Sequence, residues 1–160
     1  MSRPRSLRAG ELRVLPAPAK LVIHGLGSCV AVFVYDAGTR VGGMAHILLP
    51  GPPGRESGHL GRYASTAVAA IVEESIRLGA RREALHAKVT GGSRMFSIDP
   101  GMPRATVGDK NIEAALRALE EARVAVVASD VGGEHGRTVV ADLSDGSLTI
   151  TTVRGGPRVV

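Results

Sequence analysis

LVIHGLGSCVAVFVYD, residues 21–36, decides the fold. The stretch is apolar and rich in β-branched side chains, and it is interrupted only at GLGS. It therefore reads as a short strand, a glycine turn and a second strand over Cys29–Tyr35. On that second strand Ala31 and Phe33 face one way, and Val30, Val32 and Val34 face the other. With no polar face to turn to water, the strand is central and covered on both sides.

Working outward, Asp36-Ala37-Gly38-Thr39 is a turn signal, and Val41–Leu49 returns as a strand that Pro50 stops. GPPGRESGHLG, residues 51–61, is a loop by composition. The period then changes: Ala64, Ala67, Val68, Ile71, Val72, Ser75 and Ile76 form a small and apolar stripe. That stripe predicts a helix over Arg62–Leu78, with Gly79 as its stop. Leu85, Ala87 and Val89 alternate as a strand running into a glycine turn at Gly91-Gly92. Lys110–Ala122 is a second helix, with Ile112, Ala115, Leu116 and Leu119 on its buried face and Asp109 as its cap. Strands over 124–128, 138–143 and 148–153 close the chain, the last two joined by an Asp145-Gly146 hairpin turn. No internal repeat is visible. The fold class is α+β, a mixed or antiparallel β-sheet sandwich packed with two main helices. Residues 1–20, rich in Arg and Pro and ending in LPAPAK, read as an irregular basic arm ahead of one domain over 21–160.

Composition narrows the function classes. The chain has 160 residues, 44% of them hydrophobic, and a length of this order buries roughly 70% of its unfolded surface. Two Phe, two Tyr and no Trp leave the core to Val, Ile, Leu and Ala and exclude an aromatic platform for single-stranded nucleic acid. One cysteine excludes an intrachain disulfide and a thiolate metal cluster, which points to a reducing compartment. The formal charge of +5 suggests an acidic partner. Arg3, Arg5, Arg8, Arg13, Arg154 and Arg158 carry that excess, however, and the rest of the chain is close to neutral. Nucleic acid is not an expected partner. No apolar run reaches the roughly 20 residues of a membrane span, and no secretory signal opens the chain. A cytoplasmic protein without membrane insertion is the expectation.

The single cysteine sits at the exit of a glycine turn. Gly25, Gly27 and Ser28 precede it, and unpaired N–H groups in such a turn can converge on an anion, first a thiolate and later an oxyanion. The next strand supplies a base. If the hairpin loop is Ala37-Gly38, Asp36 pairs with Thr39 and the same register sets Cys29 directly opposite His46, with Cβ atoms roughly 4.5–5.5 Å apart. A thiol and an imidazole so placed form an activated-nucleophile pair. The remaining histidines, His24, His59, His86 and His135, lack the spacing of a metal site. No metal or cofactor is expected.

GLGSCVAVFVYD, GGMAHILLP, RYASTAV, KVTGGSRMF, VGDKNI and DVGGEHGR, in this order between about Val22 and Arg137, resemble the motif set of the chemoreceptor glutamine deamidases, the CheD family. The resemblance implies a cytoplasmic hydrolase without a cofactor that converts selected glutamines of methyl-accepting chemotaxis receptors to glutamate, on a fold related to that of toxin deamidases. It implies Cys29 as nucleophile and His46 as base, passing through a thioester with ammonia release, while Gly27 and Ser28 stand as oxyanion and orienting candidates. It also shows a departure: the family's threonine of the catalytic group is replaced by Ile23, whose side chain has no hydrogen-bonding atom. His24 and Ser28 are then the neighbours to take that role, although a one-residue step along a strand reverses the face. Ile23 also supports a second reading, a weakened deamidase-like module that docks on receptors or on the CheC-type phosphatase associated with the family. The GGS turn at 91–93 with Met95-Phe96, and the DVGG turn at 130–133, are candidate rims of a protein-binding surface. Lys88, Asn111, Asp130 and Arg137 are polar residues inside the resembling motifs, with Asp130 and Arg137 placed to pair across their turn.

Overall fold

The structure, a computed structural model, describes residues 3–51, 60–95 and 106–160. Its strands are β1 (Arg5–Ser6), β2 (Leu12–Pro16), β3 (Lys20–Leu26), β4 (Val30–Asp36), β5 (Val41–Ile47), β6 (His86–Gly91), β7 (Ala125–Val131), β8 (Arg137–Asp142), β9 (Ser147–Thr152) and β10 (Gly155–Val159). Among the described residues there are two α-helices, α1 (Ala64–Arg77) and α2 (Val107–Glu121).

The strands form two five-stranded sheets, one ordered β1-β3-β8-β9-β10 and the other β2-β5-β4-β6-β7. β4 lies at the centre of the second sheet, antiparallel to β5 and β6, while β6 and β7 run parallel. Its two apolar faces meet two different layers. Val30, Val32 and Val34 pack with Ala67, Val68, Ile71, Ala115 and Leu119 of the helices. Ala31, Phe33 and Tyr35 pack with Leu21, Ile23, Val139, Leu148 and Ile150 of the other sheet. The result is a sheet sandwich with both helices on one outer face, as the composition of residues 21–36 requires. Fully burying side chains of this size contributes about 1.5–3 kcal/mol each, so β4 is the strand on which both cores depend.

Four local features depart from the sequence reading. Both hairpin loops expected from the sequence have four residues, not two, since Asp36 pairs with Val41 and Asp142 with Ser147. The cause is the same in each. The opening aspartate accepts an N–H two residues on (Gly38 or Ser144, both 2.9 Å), and its own carbonyl accepts the N–H four residues on (Arg40 or Gly146, both 2.8 Å). Arg40 and Gly146 close the turns with φ of +57° and +76°. Residues 1–20 are not an irregular arm throughout: β1 joins the first sheet and β2 pairs antiparallel with β5. Leu7 and Val14 bury themselves between exposed arginines, an alternation that the arginine and proline content hides. α2 begins at Val107 with Thr106 as its cap, and Asp109 is the reciprocal member of a capping box and not the cap itself. Finally, β10 escapes the sequence reading because Gly155, Gly156 and Pro157 dilute its strand signal. The loop expectation over 51–61 and Phe96 as a rim residue lie largely or wholly outside the described residues.

Candidate active site

Cys29 ends the turn between β3 and β4, one residue before the β4 ladder begins. His46 is on β5 opposite Ala31, so the directly opposed Cys29–His46 pairing expected from a two-residue loop is not formed. The four-residue loop moves the partner by two positions, and an even shift preserves the face. Both side chains therefore lie on the side of the second sheet that meets the first: Ala31 and Met44 belong to that core, and Cys29 packs against it. The relation is diagonal, and among the described residues no hydrogen bond joins the thiol to the imidazole.

The turn that carries Cys29 is held from three directions. The Ser93 N–H donates to the Gly27 carbonyl (2.9 Å), and the Gly92 N–H donates to the Cys29 carbonyl (2.8 Å). Gly92 reaches that position with φ of +69°, a conformation open to glycine at little cost. From α2, Asn111 donates through Nδ2 to the carbonyls of Ser28 (2.9 Å) and Leu48 (3.1 Å). One buried amide thus ties the cysteine turn to the end of the histidine strand. The N–H groups of Gly27, Ser28 and Cys29 themselves donate to no atom of the described residues, which leaves them available to an incoming anion.

Behind Ser93 lies the expected brace. Arg137, 6% exposed, donates to Ser93 Oγ (2.6 Å) and to the Gly132 carbonyl (2.9 Å), and it meets Asp130 at 3.4 Å. Ser93 Oγ donates in turn to the His135 carbonyl (2.7 Å). Asp130 also pairs with Arg158 at 2.7 Å, so that arginine is not a free charge of the tail. Lys88, another polar motif residue, lies apart from this network and donates to the carbonyls of Gly146 and Val160.

In front of Cys29 is a cavity of about 530 Å³ lined by the cysteine turn, by Ser93, Arg94 and Met95, and by Thr106, Val107 and Gly108. Three of the resembling motifs meet there. Met95 and Val107, 48% and 51% exposed, give it an apolar rim. The first turn of α2 forms one wall and brings the positive end of the helix dipole to the cavity.

His46 is 7% exposed and is not part of the cavity lining. Its Nδ1 lies 3.2 Å from the Leu7 carbonyl. Ile23 is wholly buried in the core between the sheets, where it contributes packing. His24 is exposed and Ser28 is on the cavity wall, and neither makes a hydrogen bond to the imidazole. Burial pushes the Cys29 thiol above its ordinary 9.0. Burial also pulls the imidazole below its ordinary 6.5, against the upward influence of the Leu7 carbonyl and the Glu11 carboxylate. Both shifts favour a neutral thiol beside a neutral imidazole over a thiolate–imidazolium pair at neutral pH. Among the described residues no group of three His, Cys, Asp or Glu side chains is placed to hold a metal ion.

Leu7, Thr106 and the clasp made by Asn111 are the parts of the site that sequence reasoning did not place. Only Asn111 carries a signal: it occupies the buried face of α2 with Ala115, Ala118 and Leu119, and a polar residue in an apolar stripe needs a hydrogen-bonding partner.

Residues 48–152 match the family model described as CheD chemotactic sensory transduction. The chain is 39% identical, over all 160 residues and the full length of both proteins, to the "Probable chemoreceptor glutamine deamidase CheD" of Desulfitobacterium hafniense. A protein of the same name from Methanococcus vannielii is 46% identical over 144 residues, 90% of this chain and 92% of its own. The "Chemoreceptor glutamine deamidase CheD" of Thermotoga maritima is 39% identical over 150 residues, 94% of this chain and 92% of its own. The family-model match begins after Cys29 and His46, whereas the match to the Desulfitobacterium protein spans both.

Proposed function

The chain belongs to the CheD family, and we propose that it is a cytoplasmic enzyme that hydrolyses glutamine side chains of methyl-accepting chemotaxis receptors to glutamate, with Cys29 as nucleophile and His46 as general base. The observation that carries this reading is the cysteine turn. The chain's one cysteine stands on a cavity wall beside three N–H groups that have no partner among the described residues, on the same sheet face as a buried histidine.

The chemistry follows from the resting protonation states. With both groups neutral, attack and proton transfer occur together. As Cys29 Sγ bonds to the amide carbon, the thiol proton passes to the imidazole. The N–H groups of Gly27, Ser28 and Cys29 receive the oxyanion of the tetrahedral intermediate, with the α2 dipole adding to their field. The imidazolium then protonates the departing nitrogen, the C–N bond breaks, and ammonia leaves a thioester on Cys29. Water, deprotonated by the same imidazole, adds to the thioester and expels the thiol. Glutamate and the original enzyme result.

The cavity is open to solvent, with Met95 and Val107 as apolar edges. Such a shape suits one side chain projecting from a protein surface, with neighbouring apolar residues of the receptor helix resting on the two edges. Hydroxylamine tests the thioester directly. It intercepts the acyl group, and a receptor fragment incubated with enzyme and hydroxylamine is expected to carry glutamyl hydroxamate at the deamidated positions. Hydroxamate formed equally by Cys29→Ala would remove the covalent step.

Ile23 favours a second reading, in which the domain docks on receptors or on a CheC-type phosphatase without turnover. Tight receptor binding by the wild type with no glutamate formed is its signature.

A further inference from the structure

The histidine that the proposed mechanism uses as base is held by an element far from it in sequence. The Leu7 carbonyl lies 3.2 Å from His46 Nδ1. A carbonyl oxygen can only accept, so the contact requires the proton to sit on Nδ1 and leaves Nε2 with the lone pair. The carbonyl is itself fixed. The Leu7 N–H donates to Val22 (2.8 Å), and the Leu7 side chain is 3% exposed in the core between the sheets. The same segment grips the histidine backbone on both sides: Gly10 N–H donates to the His46 carbonyl (2.8 Å), and His46 N–H donates to the Glu11 carbonyl (2.9 Å). Ring and main chain of one residue are thus clamped by positions 7–11, while Ile23 offers the ring nothing polar.

We infer that the Leu7 main-chain carbonyl is the positioning group of the His46 imidazole, selecting the tautomer and ring orientation that aim Nε2 at the Cys29 thiol. The residues before β2 are on this account part of the catalytic apparatus. The inference rests on His46 being the base. Its physical basis is that a base must present its lone pair along the line of proton transfer, and a buried ring with one nitrogen anchored has a single such orientation. The charged group acting on this ring is Glu11, at the other end of the clamp.

Backbone ester substitution tests the contact in the full chain without altering any side chain. Replacing the peptide N–H of Arg8 by oxygen turns the Leu7 carbonyl into an ester carbonyl, a weaker acceptor. The Arg8 N–H donates to no atom of the described residues, and the Arg8 side chain is 92% exposed, so little else changes. In wild-type protein, nitrogen NMR of the imidazole is expected to show Nδ1 protonated and Nε2 bare at neutral pH. In the ester variant the His46 titration is expected to move to lower pH, because the lost bond favours the charged ring. With it kcat falls about threefold to tenfold at unchanged KM, while the melting temperature stays within a few degrees. A merely structural contact would move the titration and lower stability while leaving kcat unchanged, and that outcome would overturn the inference. Finding Nε2 protonated in the wild type, or an ester variant with unchanged titration and kcat, would overturn the inference. A wild type with the Nδ1–H tautomer and an ester-sensitive titration but no ammonia release overturns the role through the deamidase reading and not through the contact. The two failures are thereby distinguishable.

Discussion

Gly108→Ala sets two physical effects against each other at the wall of the cavity. Helix propensity alone favours the substitution, since alanine exceeds glycine by about 0.8–1.0 kcal/mol in a helix interior. Packing opposes it. A Cβ on Gly108 would stand 2.5 Å from the Gly92 carbonyl oxygen and 2.7 Å from that of Ser93, where ordinary contact begins at 3.4 Å. The methyl therefore needs about 0.7–0.9 Å of separation from backbone atoms. The turn cannot readily supply it, because Gly92 and Ser93 are bonded to Cys29 and Gly27 and Ile112 fills the space beside Gly92. Overpacking of this kind costs about 1–3 kcal/mol. The expected net loss is about 0–2 kcal/mol, or up to about 8 °C in melting temperature at roughly 2–4 °C per kcal/mol for a chain of this size. Activity is expected to fall further than stability, by about tenfold or more in kcat/KM, because displacing α2 also displaces the wall facing Cys29. Thermal unfolding followed by circular dichroism, with ammonia release on the same preparations, reads both. A rise in melting temperature with unchanged kcat/KM would show that α2 does not dock on the 91–93 turn as described.

Other perturbations reach the site by independent routes. Asn111→Ala strips partners from the carbonyls of Ser28 and Leu48, and urea denaturation is expected to show a loss of about 2–4 kcal/mol; a loss below 0.5 kcal/mol, on the order of a surface change, speaks against the clasp. Because burial holds the His46 imidazole below 6.5, the acid limb of kcat/KM is expected below that value. The stability linked to the neutral ring is complete above 6.5 and is lost as pH falls through the folded value, since the unfolded chain takes up the proton first. An acid limb above 6.5 in the pH–rate profile contradicts this. The thiol, pushed above 9.0 by the same burial, is expected to alkylate with iodoacetamide at a rate still rising past pH 9. A plateau reached near neutrality would instead reveal a resting thiolate–imidazolium pair. Arg137→Ala leaves Ser93, Gly132 and Asp130 without their buried donor, and unfolding is expected to register about 3–5 kcal/mol.

The sandwich and its helical layer were legible because hydrophobic periodicity reports burial directly. Val30, Val32 and Val34 against Ala31 and Phe33 require two cores, and two cores are present. Loop length was not legible. Asp36 and Asp142 each recruit an N–H two residues on and lengthen a turn that the glycine position alone reads as shorter. Cys29 and His46 are not directly opposed, yet they share a sheet face because the loop is longer by two residues and side chains alternate with period two; an odd difference would have put the imidazole in the helical core. Leu7 could not have been found. Its role belongs to a main-chain carbonyl acting across 39 positions, and a carbonyl is common to every residue type. Asn111 and Arg137 stood out as polar residues in the motifs, but which carbonyls and hydroxyl they serve depends on turns that meet only in the folded chain.

The most direct measurement of the central claim is ammonia release from a chemotaxis receptor's cytoplasmic fragment, compared between wild type and Cys29→Ala, with glutamine-to-glutamate conversion followed by mass spectrometry. Wild type is expected to release ammonia in step with conversion at particular receptor glutamines, and Cys29→Ala to remain at background. Equal release from both proteins, or none above background from either, contradicts a cysteine-dependent deamidase.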